Sequence, residues 1–502
     1  MSVAILKSRA QLGVKAPPVT IEVFLGGGLP TFAIVGMPET AVRESKDRVR
    51  GAIQSSNFDF PQQRIIVSLG PADMRKCGGR FDLPIALGIL IASGIVPGEA
   101  AASFEFYGEL ALNGDIREVS GILPSALQAR HSNTAVFVPG GNADEAALAS
   151  PEVFSASTLL QVTEHLMGER EAPPHKPAAI TSKKSLYPDL ADVRGQAQAK
   201  RAIEIAAAGG HNILLTGPPG TGKSMLAQRL PGILPPMTGD ESIETAAVDS
   251  ILGRSLDIAT WGRRPFRSPH HTASAAALVG GGSDPRPGEI SRAHNGVLFL
   301  DELPEFSRHV LEVLREPMET GCITISRAGR QADFPARFQL VAAMNPCPCG
   351  YLGDPDANCR CSAERVSHYR SKISGPLLDR IDIHVAVQRP PKQLLRPDAP
   401  QAEGSSVVLR RVNAARTVQQ LRNHGCNALL EGKQLQQVCV GTHESWDLLE
   451  KAMDRFAMSA RAHQRIWRVS RTIADLAGAN IIDVEHVSEA LSLRYLELGS
   501  GS

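Results

Sequence analysis

The stretch HNILLTGPPGTGKSMLAQRL, from His211 to Leu230, constrains this chain more than any other. Three apolar residues, Ile213 to Leu215, read as a buried strand. They lead into Gly217, Pro218, Pro219, Gly220, Thr221, Gly222 and Lys223, and a helix is expected from Ser224. Strand, glycine-rich loop and helix in that order make a phosphate cradle. Gly220 and Gly222 let backbone N–H groups turn inward, and the helix N-terminus adds partial positive charge. Lys223 is placed to reach the β- and γ-phosphates of ATP, and the Ser224 hydroxyl to ligate Mg²⁺. An ordinary strand–turn–helix needs no Lys and Ser together.

Further along, NGVLFLDELPEF carries four apolar residues, Val297 to Leu300, that end in two acids. Asp301 is expected to hold Mg²⁺, directly or through water, and Glu302 to polarise the attacking water. A third apolar run, FQLVAAMN, ends in Asn345, whose carboxamide suits a place between that water and the γ-phosphate. In SGPLLDRIDIHV, Arg380 stands where a helix meets a strand. It reads either as an arginine finger for a neighbouring subunit's nucleotide or as a surface pair with Asp379.

A length of 502 residues suits about three domains. Net charge is +1, so any nucleic-acid contact must come from local patches. The most apolar window, Leu83 to Val96, is too short to span a bilayer and reads as a buried helix. The first residues lack the basic head, apolar core and cleavage site of a signal peptide. No membrane partner and a cytoplasmic location are expected. Composition divides the chain into residues 1–168 (mixed α and β), a polar linker at 169–188, an α/β nucleotide-binding core at 189–390, a Pro-rich linker at 391–405 and a helical block at 406–497.

The order P-loop, Asp-Glu, Asn, Arg resembles AAA+ ATPases. RPFRSPHHTASAAALVGGG and PRPGEISRAHNGVLFLDELPEF narrow the resemblance to the magnesium-chelatase-like branch, and within it to the ComM/YifB proteins of bacteria. VGMPETAVRESKDRVRGAIQSSNFDFPQQRIIVSLGPADMRKCGGRFDLPIALGIL in the first block matches too, so the resemblance covers nearly the whole chain. It implies an N-terminal Lon-protease-like (S5-like) α+β domain, an AAA+ P-loop core and a C-terminal helical lid of magnesium-chelatase type. It further implies ATP and Mg²⁺, hexameric rings, and a helicase of branch migration in natural transformation and homologous recombination. Such a helicase acts on single-stranded and branched DNA beside recombination proteins. Chelatase-type and protein-remodelling motors share every nucleotide motif and stay open as alternatives. By the same resemblance Asn345 is the nucleotide sensor, Arg380 the finger and Arg461 the lid's second sensor. Arg465 and Arg468 lie close enough to share a helix face with Arg461, and a solvated or DNA-facing basic face is the other reading.

Lon-type proteases need a serine nucleophile and a lysine base. Here Arg80, in KCGGRFD, stands in the serine's place and Leu123 in the lysine's. Arginine is no nucleophile and leucine accepts no proton, so this domain is expected to be no protease. CITISRAGRQADFP reads as a β-hairpin whose turn is flanked by Arg327 and Arg330. Repeated around a ring, these would grip DNA phosphates without reading bases; the other reading is an ordinary surface hairpin. Finally, Cys347, Cys349, Cys359 and Cys361 crowd the insert 345–362 directly after Asn345. Four thiolates with no open position fit a structural Zn²⁺, although the Cys-x-Cys spacing is unusual; reduced free thiols are the alternative. The remaining Cys77, Cys322, Cys426 and Cys439 are expected to be buried thiols.

Overall fold

A computed structural model of the chain describes residues 2–176, 187–254, 260–282, 285–327, 330–354, 357–396, 402–456 and 458–494. The first block folds around a seven-stranded mixed sheet. Its strand order is Thr31–Val35, Arg64–Gly70, Pro18–Gly26, Ser2–Arg9, Phe104–Phe106, Ala135–Pro139, Val153–Ala156. The apolar window forms the helix Asp82–Ala92, buried at every position but Ile91. Gly88 brings it so close to the sheet that a Cβ there would sit 2.5 Å from Val23 and 2.9 Å from Leu6.

The second block holds a five-stranded parallel sheet ordered Phe266–Arg267, Val297–Leu300, Gln339–Met344, Ile213–Thr216, Ile383–Ala386. The three central strands are buried at all their positions, as strands covered on both faces must be. In register, Thr216 lies beside Met344 and Leu300 beside Ala342, so the P-loop, Asp301 and Asn345 leave the sheet at one end. Ligand sites of open α/β sheets form at that carboxyl end.

The third block is helical: Ser405–Asn423, Gly432–Val438, His443–Phe456, Ala460–Leu476 and Val484–Ser492. Ile466, Trp467, Val469 and Ile473 share one core with Ile203, Ile213 and Ile383 of the second block. The first block also docks on the second. Ile122, Leu123, Ala126 and Ala146 pack against Ile243, Ala246 and Ala247 of the helix Gly239–Ile251. Of the four scattered cysteines only Cys439 is fully buried; Cys77, Cys322 and Cys426 are half-buried, held in boundary layers rather than in cores. No helix among the described residues is long and apolar enough to cross a membrane.

Candidate functional site

Where the central strands end, a cleft is lined by Pro219, Gly220, Thr221, Gly222, Lys223, Ser224, Asp301, Glu302 and Asn345. Local chemistry explains the shape. Gly220 and Gly222 have φ of 76° and 87°, the left-handed region that side chains resist. Gly217 approaches the Val387 carbonyl so closely that a Cβ would lie 2.2 Å from its oxygen. The helix Lys223–Arg229 starts at Gly222 and aims its free N–H groups into the cleft.

Lys223 is buried and donates to the carbonyls of Gly217 (2.7 Å) and Pro218 (2.9 Å) and to Asn345 Oδ1 (3.2 Å). Burial lowers its pKa, against the raising pull of Asp301 and Glu302. The Ser224 hydroxyl donates to Asp301 Oδ2 at 2.7 Å. Ser224 and Asp301 therefore point their oxygens at one spot beside the Lys223 ammonium. That donor set, all hard oxygens, fits Mg²⁺. Ser224 and Asp301 would hold it there, and its charge would offset that of the phosphates. The geometry suits the N–H groups and Lys223 to phosphate and Ser224 and Asp301 to a metal, with Asn345 beside them.

Glu302 is drawn into a contact that sequence reasoning missed. Its backbone is left-handed, φ 53°, and its N–H donates to Asp301 Oδ1 at 2.9 Å. Its carboxylate lies 3.2 Å from His271 Nδ1, and the His271 ring stands 4.1 Å from that of His270. The available signal was the paired histidines themselves, which follow the edge strand beside Val297–Leu300. The arginines just before them are committed elsewhere. Arg264 donates to the Pro235 and Asn295 carbonyls, both at 2.6 Å, and Arg267 pairs with Glu289 at 2.6 Å.

The four sulfurs of Cys347, Cys349, Cys359 and Cys361 lie within 4.8 Å of one another. Separations are 3.3 Å for Cys347–Cys349, 3.7 Å for Cys347–Cys359 and 3.6 Å for Cys349–Cys359. A tetrahedral site with Zn–S bonds near 2.3 Å requires sulfurs about 3.8 Å apart, so the cluster could hold a metal without rearrangement. Backbone N–H groups of Tyr351 and Arg360 draw the Cys349 thiol down to about 6, and the Cys361 N–H points at Cys359 Sγ at 3.4 Å. The cluster touches the cleft. Gly350 has φ 85°, and a Cβ on it would meet Pro219 of the P-loop at 2.7 Å and Asn345 Cγ at 3.8 Å. Buried Tyr369, its hydroxyl pushed up to about 12 by burial, is hydrogen-bonded to the Asn345 backbone.

Other expected residues stand apart from the cleft. Arg380 donates to the Pro376 carbonyl at 2.6 Å and pairs with Glu319, not with Asp379. Arg461 is exposed at the start of its helix, whereas Arg465 pairs with Asp382 at 3.5 Å and Arg468 reaches Glu431 at 4.0 Å. The hairpin forms as strands Cys322–Arg327 and Arg330–Pro335 with Arg327 opposite Arg330; the side chains of both arginines lie outside the described residues. In the first block, buried Arg80 donates to the Arg9 carbonyl (3.3 Å), Gln11 Oε1 (3.1 Å), Ser125 Oγ (3.5 Å) and the Ser120 carbonyl. Leu123 is fully buried.

A P-loop strand, an Asn-tipped strand beside it and an Asp-Glu strand beyond that, on a five-stranded parallel sheet with a helical lid, define an AAA+ ATPase. Sequence comparison refines that class. Residues 189–395 match the family described as magnesium chelatase, subunit ChlI; residues 402–494 match its C-terminal part, and residues 21–142 match subunit ChlI of Mg-chelatase. Competence protein ComM of Haemophilus influenzae is 48% identical over 502 residues, covering 99% of this chain and 98% of that protein. The uncharacterized protein YifB of Salmonella typhimurium is 47% identical over 499 residues, with the same coverage. The magnesium-chelatase 38 kDa subunit of Cereibacter sphaeroides is 28% identical over 174 residues, 30% of this chain and 51% of that one. The chain belongs to the ComM/YifB family of magnesium-chelatase-like AAA+ ATPases, and its cofactors are ATP and Mg²⁺.

Proposed function

We propose that this chain is an ATP-driven DNA motor, a hexameric helicase that migrates branched DNA in natural transformation and homologous recombination. One observation carries the reading. Ile323, Ile325, Ala332 and Phe334 of the hairpin share a core with Leu298, Leu300, Ala342 and Met344 of the strands that end in the cleft. A shift of those strands during hydrolysis would move the hairpin that carries Arg327 and Arg330, whose charges suit phosphate contact. The name of the Haemophilus relative, a competence protein, supports the same direction.

In this reading Lys223, Ser224, Asp301, Glu302 and Asn345 act within one subunit. Arg380 leaves Glu319 to serve the neighbour's nucleotide, and Arg461 senses it from the lid. Single-stranded and branched DNA are the substrates, recombination proteins the partners and the cytoplasm the location. The thiol cluster holds a structural Zn²⁺.

The test is ATP-dependent migration of a four-way DNA junction. The native chain should resolve it, the Lys223→Ala variant should not, and an Arg327→Ala/Arg330→Ala variant should lose affinity and salt dependence together. An untouched junction alongside brisk ATP hydrolysis removes the reading. A chelatase-type motor is the second reading, favoured by the likeness to the 38 kDa magnesium-chelatase subunit. Stimulation of the ATPase by a porphyrin-binding protein rather than by DNA would establish it.

A further inference from the structure

We infer that the thiol cluster is a positioning device for ATP hydrolysis: a metal on Cys347, Cys349, Cys359 and Cys361 fixes the turn that follows Asn345, so that hydrolysis, not ATP binding, depends on it. The inference rests on the Zn²⁺ reading above. Its basis is a short chain of contacts. Asn345 ends its strand and Cys347 follows two residues later. The Gly350 N–H closes a turn onto the Cys347 carbonyl at 2.9 Å, between two of the thiols. Gly350 leaves no room for a side chain against Pro219, and the Asn345 carboxamide nearby accepts from Lys223. The far side is tied down as well. Arg370 Nε donates to the Pro346 carbonyl at 3.3 Å, and Asp354 pairs with Arg389 at 3.2 Å.

Without a metal, nothing covalent or coordinate joins Cys347-x-Cys349 to Cys359-x-Cys361, since all four are free thiols. Four close thiolates repel, and four thiols make only weak hydrogen bonds. Coordination of Zn²⁺ releases the thiol protons and replaces these contacts with four bonds, closing the segment from 347 to 361. Phosphate binding does not pass through this turn. The loop N–H groups and the Lys223 bonds to Gly217 and Pro218 belong to the P-loop itself. Asn345, in contrast, is held from the cluster side, and it is the group that orients water.

The full-length chain, prepared reduced with zinc available, is first assayed for metal. One Zn²⁺ per chain is expected; none overturns the Zn²⁺ reading, and the inference with it. Cys361→Ser removes one of the four thiols and leaves the P-loop untouched. It should lose its zinc and bind a fluorescent ATP analogue with near-native Kd, while kcat falls roughly 10-fold, as changes around a metal commonly cost. Native kcat in that variant overturns the inference and leaves the zinc site standing. Should the variant fail to fold, zinc is instead withdrawn from the native chain with a thiol-specific mercurial. Its release is followed by a chromogenic chelator alongside ATP binding and turnover. Turnover must fall with zinc release while binding persists, and must return with thiol and added Zn²⁺. Undiminished turnover in the zinc-free, still folded chain sinks the proposal.

Discussion

Two cations are buried beside glycine-rich turns in this chain, and their partners differ in kind. Lys223 and Arg80 are 8% and 3% exposed, and burial lowers the pKa of each. Lys223 gives its protons to two carbonyls of its own loop and to Asn345, all at the wall of an open cleft. Arg80 gives its protons to the end of a strand at Arg9, to Gln11 beyond it, and to Ser120 and Ser125 at the head of the helix Ile122–His131. Phosphate oxygens can replace the first set without disturbing any element. Replacing the second set would separate strand from helix. A buried charge whose partners are exchangeable is a binding group; one whose partners lie on several elements is a cross-link.

The comparison breaks most visibly at Lys223. Lys223→Ala should abolish ATP affinity, measured with a fluorescent analogue, and leave no turnover. Glu302→Gln should retain ATP affinity but lose roughly 10²- to 10⁴-fold in turnover, the usual share of a general base. Comparable turnover in that variant would free Glu302 from its assigned task.

Arg80→Ala sharpens the other side. It leaves two buried acceptors, the Arg9 carbonyl and Ser125 Oγ, without that donor, so the thermal midpoint should drop by the equivalent of about 2–3 kcal/mol. ATP turnover measured below that midpoint should match the native chain. If turnover instead fell as it does in Lys223→Ala, the two cations would not differ as argued, and the first block would be part of the ATPase.

A third buried base is poorly partnered among the described residues, with the Leu378 backbone its nearest hydrogen-bonding group. His384, 2% exposed, sits on the strand Ile383–Ala386, and neither ring nitrogen makes a well-formed hydrogen bond. Burial first, then Arg494 and Arg465, push its pKa well below 6.5, against the pull of Asp382. The sign follows. Below about pH 6.5 the unfolded chain takes up a proton that the folded chain refuses, so stability falls as pH falls, by up to about 1.4 kcal/mol per pH unit. Thermal midpoints at pH 7.5 and 5.5 should differ less in His384→Gln than in the native chain by the slope of one proton. Equal slopes would show that folding does not lower the His384 pKa.

Much of the nucleotide site was legible because its signals are local. Lys223 and Ser224 follow their strand directly, and Asp301, Glu302 and Asn345 each stand at the end of an apolar run. The mixed and parallel sheets followed the apolar runs in the same way. Contacts between loops carried no such signal. Nothing in the spacing of Gly350 and Pro219 announces that no side chain fits between them; only the folded left-handed turn does. The lid arginines show the limit from another side. Periodicity placed Arg461, Arg465 and Arg468 near one helix face, but the ion pairs of Arg465 and Arg468 depend on Asp382 and Glu431, which other segments deliver.

His271 yields the smallest effect and the finest test of exchangeable partners. Its Nδ1 lies 3.2 Å from Glu302 Oε2, with 33% and 54% of the two side chains exposed. A pair so open to water is worth about 0.5–1 kcal/mol. That is enough to bias where the carboxylate rests and too little to lock it. In the proposed function Glu302 polarises water, and a carboxylate resting on His271 is less free to do so. His271→Ala should therefore raise ATP turnover without added DNA by roughly two- to fivefold, the rate equivalent of that energy. His271→Gln, which keeps a donor near the carboxylate, should stay close to native. Turnover in His271→Ala that fell toward the Glu302→Gln level would mean the opposite: that the imidazole presents Glu302 to the water instead of withholding it, and that its partners are not exchangeable.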